Sequence, residues 1–121
     1  WVDLSNRGWS HSAKATRDPF LTSPALAVRA KQYLGEGSAN LAILDADMRG
    51  LPPAFIQTGE AEILMSDSTA LAERLGASGV PVSLETWPDM FHVFQARYAM
   101  LGAARQAIQR LGQWAAAHVA A

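Results

Sequence analysis

The sequence has no cysteine, which excludes disulfides, thiolate metal sites and a cysteine nucleophile. It has no apolar stretch near the roughly 18 residues that a membrane span needs. No signal peptide opens it, so the expected compartment is the cytoplasm and no membrane partner is expected. There is no run of like charge, and the net charge of −1 gives nucleic acid nothing to hold. The three histidines, at positions 11, 92 and 118, are too scattered for a zinc site, and neither a metal nor an organic cofactor is expected. The first residue is Trp1, not Met. Trp1-Val2-Asp3-Leu4 reads as the end of a strand without its beginning, so the chain is expected to start inside a larger domain and to be a piece of it.

What is present is a globular composition: 121 residues, 50% apolar and 17% charged, enough for one domain with a modest core. Residues 5–17 are polar and loop-like. Thr22-Ser23-Pro24 is a helix start, a hydroxyl cap followed by proline in the first turn, and Gly35 ends that helix. Residues 35–50 read as loop, with Leu41-Ala42-Ile43-Leu44 as a short extended piece. Pro52-Pro53 leads into a buried strand, Ala54 to Thr58, closing at Gly59. A helix follows, capped by Ser66 or Asp67, with Leu71 and Leu75 on one face and Gly79 at its end. Val82 to Trp87 alternates as a half-buried strand does. The last helix runs from about Leu101 to His118, with Ala104, Ile108, Leu111 and Ala115 on a shared face. Strand, helix, strand, helix, strand, helix is the α/β pattern of a parallel sheet. Three strands leave that sheet incomplete, with an edge that lacks its neighbour.

Two residues stand just past the ends of the predicted strands. Glu62 follows the first full strand and its Gly59 turn. His92 follows the second, in Trp87-Pro88-Asp89-Met90-Phe91-His92-Val93-Phe94. Adjacent parallel strands bring such positions together at the carboxyl edge of the sheet, where open α/β folds place their sites. A carboxylate beside an imidazole is two-thirds of a hydrolytic triad. The third member, a nucleophile, is not evident. The competing reading is a loop histidine and a helix-proximal glutamate with no relation.

Several stretches carry a resemblance. Trp1-Val2-Asp3-Leu4, Asp18-Pro19-Phe20-Leu21-Thr22, Met48-Arg49-Gly50-Leu51-Pro52-Pro53, Gln57-Thr58-Gly59-Glu60-Ala61-Glu62-Ile63-Leu64, Ala72-Glu73-Arg74-Leu75, Val80-Pro81-Val82 and the segment around His92 follow one another in an order and spacing that resembles the C-terminal part of bacterial hormone-sensitive-lipase-type esterases, of the α/β-hydrolase fold. The likeness covers nearly all of this chain and would cover the last two-fifths or so of a typical member.

The resemblance implies that His92 is the catalytic histidine and Glu62 its acid partner. Many members have aspartate there, followed by Pro-Leu-Arg-Asp, where this chain has Glu62-Ile63-Leu64-Met65-Ser66-Asp67. Asp89 stands where glycine is common. The family's Gly-x-Ser-x-Gly nucleophile elbow and its His-Gly-Gly oxyanion motif do not occur in this sequence. Both would belong to an N-terminal part of the same hydrolase, and this chain alone is expected to be inactive.

Other candidates have plainer readings beside the functional one. Asp67 is the rival acid, better read as a helix cap. Glu60 reads as solvated, Asp3 and Asp47 as turn residues, His11 as a loop residue without an acidic neighbour in sequence. Met90, Phe91 and Val93 are candidates for the apolar wall around a small ester substrate, or for anchors of the loop in the core. Strand 82–87 is the last strand. Members of the family often pair two subunits along that edge, so a homodimer is implied, with Glu85 as the one residue that reads as a guard against such pairing. The alternative to an esterase segment is a non-catalytic α/β module that binds a partner through its open sheet edge.

Overall fold

The computed structural model describes residues 1–35 and 43–119. Two strands, β1 (Ala54–Gly59) and β2 (Val82–Trp87), lie parallel, in register from Ala54 opposite Val82 to Gly59 opposite Trp87. The helix α3 (Met65–Ala77) makes the crossover between them, as parallel strands require. Alternate side chains of a strand point to opposite faces, and the two faces of this pair are covered differently. Ala54, Ile56 and Val82 pack with Leu71 of α3 against a core of Met48, Leu75 and Val80. On the other face, Phe55 stacks on Trp114 of α4 (Gly102–Val119) at 5.5 Å, and Gln57 Nε2 donates to the Ala107 carbonyl at 2.9 Å. A helix on each face of parallel strands is the α/β layering expected from the element order.

The capping chemistry acts where the residue types require. The Thr22 hydroxyl accepts from the Ala25 amide at the start of α2 (Ser23–Leu34), and Gly35 closes that helix at φ 63°. At the end of α3, Gly79 turns left-handed at φ 77°, and the Val80 amide reaches back to the Leu75 carbonyl at 3.0 Å. That closure releases the chain directly into β2.

Five expectations are corrected. Residues 1–4 are not a strand: among the described residues no strand lies beside them, and the Val2 and Asp3 amides donate to Asp67 Oδ2 at 2.8 and 3.0 Å. Residues 5–17 include one helical turn, α1 (Ser10–Ala13). Ile43 to Asp45 form a 3-10 turn instead of an extended piece, while Leu41 and Ala42 lie outside the described residues. In β2, Leu84 is exposed and Glu85 is half-buried, because Gln57 and Arg110 both bond the Glu85 carboxylate. Finally, α4 packs through Ala104 and Ala107, both fully buried around Phe94, whereas Ile108 and Leu111 face outward at 43% exposure each. Small side chains let the helix lie close, so the alanine line is the buried seam and not the larger apolar residues.

Candidate active site

The two strand ends carry the site. Beyond Gly59 the chain turns at once. The Glu60 amide donates to the Trp87 carbonyl and the Ala61 amide to the Met90 carbonyl, each at 2.9 Å. These bonds tie the acid-bearing turn to the loop after β2. The fit is close at Gly59, where a Cβ would lie 2.2 Å from the Met90 carbonyl oxygen. No side chain can be accommodated there without moving the loop that bears His92.

That loop takes its shape from two left-handed residues, Asp89 at φ 56° and Val93 at φ 55°. The conformation suits glycine and is tolerated by aspartate; for a β-branched valine it is strained. Such strain persists where the surroundings over-determine it, commonly at functional sites. Here Phe94, fully buried against Trp87 with rings 5.6 Å apart, anchors the far side. His92 is thus presented between a left-handed residue and a buried aromatic.

Glu62 and His92 meet. His92 Nδ1 lies 2.9 Å from Glu62 Oε2. The second carboxylate oxygen, Oε1, accepts from the Gly59 amide and from the Thr58 hydroxyl, the latter at 3.4 Å. The acid is buried, with its side chain 8% exposed, whereas the His92 side chain is 35% exposed. An ionised carboxylate only accepts, so Nδ1 carries the ring proton and Nε2 is left with its lone pair. Nε2 makes no hydrogen bond among the described residues. His92 lines an open cavity of about 310 Å³ with Phe20, Phe91, Val93, Ala96 and Arg97.

The flanking candidates divide. Phe91 and Val93 line this cavity. Met90 does not; it packs with Trp87 and Phe91 against the Phe94 core, and its carbonyl holds the acid turn. Asp89, the departure beside His92, points away and pairs with Arg17 at 3.0 Å, with its side chain 82% exposed. Glu60 is half-buried, not free in solvent, and accepts from the Asp89 amide at 3.3 Å. Asp67 caps nothing through its side chain. It sits in the first turn of α3, taking the Val2 and Asp3 amides and facing His11 Nε2 at 3.6 Å. Phe20, whose ring lies 5.1 Å from Phe91, is a cavity residue that sequence reasoning does not name as a site candidate. Its place in the Asp18-Pro19-Phe20-Leu21-Thr22 stretch, just before a predicted helix, is the signal that could have found it. Among the described residues no group of three or more His, Asp or Glu side chains is arranged to hold a metal ion, and no helix is long and apolar enough to cross a membrane.

Comparison with known proteins gives the same architecture. Residues 1–96 match the family described as alpha/beta hydrolase fold. An acetyl-hydrolase of Streptomyces hygroscopicus is 35% identical over 115 residues, covering 93% of this chain and 38% of its own length. An esterase of Acinetobacter venetianus is 29% identical over 119 residues, covering 95% and 39%. The crystal structure of an esterase from the bacterial hormone-sensitive lipase family superposes with a TM-score of 0.94 at 38% identity, covering 98% of this chain and 41% of that one. The chain therefore spans about two-fifths of the length of the relatives it matches.

Proposed function

From the premise that this chain belongs to the alpha/beta-hydrolase family, we propose that it is the C-terminal, acid- and histidine-bearing segment of a serine carboxylester hydrolase of the hormone-sensitive-lipase type. Residues 1–121 are then part of one hydrolase domain. The serine and the oxyanion hole come from an N-terminal part of the same enzyme, and the substrate is a small or medium ester.

The observation that carries this reading is the Glu62–His92 hydrogen bond at 2.9 Å, buried at the acid and open at the base. His92 Nε2 takes the proton of the serine hydroxyl as its oxygen attacks the ester carbonyl. The resulting imidazolium is stabilised by the Glu62 carboxylate. The same proton passes from Nε2 to the departing alcohol as the tetrahedral intermediate collapses to an acyl-enzyme. Water then attacks, giving its proton to Nε2, and the serine recovers it when the acid leaves. Phe20, Phe91 and Val93 offer an apolar wall to the ester.

The test is p-nitrophenyl ester hydrolysis by the complete enzyme and by the 121-residue chain. The complete enzyme turns over; the chain alone does not, because activated base without nucleophile transfers nothing. Turnover by the isolated chain that is lost in His92→Ala overturns the division of the triad. A homodimer through β2, with Glu85 already engaged by Gln57 and Arg110, and a cytoplasmic location belong to the same proposal. Sedimentation of the complete enzyme and fractionation of its source cells test them.

A further inference from the structure

Glu62 has three rotatable side-chain bonds, yet its carboxylate must meet His92 to within a few tenths of an ångström. A displacement of about 1 Å at a reacting group costs about a hundredfold in rate. What fixes its backbone is therefore part of the site. Gly59 and Ala61 hold the turn on its strand side. The other side is held by Ile63, whose peptide groups are clamped from both directions. Its N–H donates to Asp18 Oδ2 at 3.0 Å, and its carbonyl accepts from the Ser10 hydroxyl. That hydroxyl oxygen in turn accepts from the Ser66 amide at 2.9 Å. The Ile63 side chain is fully buried beside Leu26 and Leu64, with Leu21 packed on them.

Asp18 does more than satisfy one amide. It is buried at 7% exposure, and its second oxygen, Oδ1, accepts from the amides of Phe20 and Leu21, each at 2.9 Å. One carboxylate thus joins two segments 45 residues apart: the turn that carries the acid and the stretch that sets Phe20 against the cavity beside His92. Both oxygens are occupied by backbone donors from different sides, a role that acceptor-only chemistry fills and an amide side chain cannot.

We propose that Asp18 is a positioning residue for the Glu62 carboxylate, acting through the Ile63 amide. This rests on the reading of Glu62 and His92 as the working pair. Asp18→Asn keeps size but presents an NH₂ group to one of the two sets of N–H donors. In the complete enzyme acting on p-nitrophenyl acetate, Asp18→Asn lowers kcat about tenfold with KM within about twofold, and Asp18→Glu, which keeps the acceptor, recovers part of the loss. The double variant Asp18→Asn/Glu62→Gln is no slower than Glu62→Gln alone, because an unpositioned acid and an absent acid are the same defect. A folded Asp18→Asn enzyme with wild-type kcat, or losses that multiply in the double variant, overturns the proposal. Should the asparagine variant be recovered unfolded, the Asp18→Glu/Glu62→Gln cycle makes the same comparison. If Glu62→Gln itself leaves kcat unchanged, the functional reading fails and the positioning role falls with it; a damaging Glu62→Gln beside a silent Asp18→Asn removes the positioning role only.

Discussion

Among the described residues two imidazoles face carboxylates, and they differ in distance, burial and what the remaining nitrogen meets. His92 holds Glu62 at 2.9 Å and turns its other nitrogen to an open cavity. His11 faces Asp67 at 3.6 Å, beyond hydrogen-bond range. Both side chains of that second pair are at most 5% exposed, and His11 Nδ1 is taken up by the Ser23 hydroxyl at 3.2 Å. His11, Asp67 and Ser23 therefore assemble the residue types of a hydrolytic triad, but around an imidazole whose side chain is buried and whose acid lies out of hydrogen-bond reach. Residue types at roughly the right distance do not distinguish the two; what does is a hydrogen-bonded, buried acid behind an imidazole that lines a cavity. The Asp67 pair instead fastens the start of the chain to α3, through the Val2 and Asp3 amides.

The sharpest way to break this contrast is to remove each imidazole from the complete enzyme. His92→Ala is expected to lower kcat by about 10⁴-fold or more on p-nitrophenyl acetate, while His11→Ala leaves kcat of the folded enzyme within about twofold and lowers stability. Equal kinetic losses would show that the buried pair also takes part in the reaction. Removing the acids divides the response in the same way. Glu62→Gln is expected to cost about 10³-fold in kcat with little change in the urea midpoint. Asp67→Ala strands the Val2 and Asp3 amides, and is expected to lower unfolding free energy by about 3 kcal/mol, with kcat of the folded fraction nearly unchanged.

The difference between the two pairs also marks how much of the molecule is legible in its amino-acid order. Glu62 and His92 are legible because each follows a strand whose limits are written locally, by Pro52-Pro53, Gly59, Pro81 and the hydrophobic runs between them, and because parallel register then forces the strand ends together. His11, in a polar stretch, meets Asp67, in the first turn of an amphipathic helix, and no local pattern announces the contact; the same holds for Asp18 and Ile63. The outward turn of Ile108 and Leu111 is hidden for another reason. In a helix so rich in alanine, several faces satisfy the same spacing, and only the close approach to Phe94 selects Ala104 and Ala107.

Gly59 joins the acid turn to the histidine loop, so it tests whether the exposed pair depends on that contact. A methyl group there meets a backbone carbonyl, which cannot swing aside as a side-chain tip does. Gly59→Ala is expected to lower stability by about 1–3 kcal/mol and kcat about a hundredfold, the loss expected of a shift of about 1 Å in the His92 loop. An active, equally stable variant would mean that the loop yields more easily than its hydrogen bonds to Glu60 and Ala61 suggest.

The smallest effect is expected at Asp89, two opposed terms at one exposed position. Its left-handed backbone disfavours any residue with a Cβ, and aspartate relieves only part of the roughly 1–2 kcal/mol involved. Glycine relieves all of it but adds freedom to the unfolded chain, a cost of about 0.5–1 kcal/mol. Asp89→Gly also breaks the Arg17 ion pair, whose side chains are 45% and 82% exposed and which solvent screening holds to at most about 1 kcal/mol. The amide of residue 89 still reaches Glu60 in the variant, so the loop keeps its tie to the acid turn. The balance favours a gain of about 0.5 kcal/mol, read as a small rise in the urea midpoint. Salt separates the two terms, because about 1 M salt shortens screening to about 3 Å and suppresses the ion pair but leaves backbone strain untouched. The gain should therefore grow with ionic strength. A loss of more than about 1 kcal/mol at low salt that vanishes at high salt would instead make the Arg17–Asp89 pair a real support of the His92 loop.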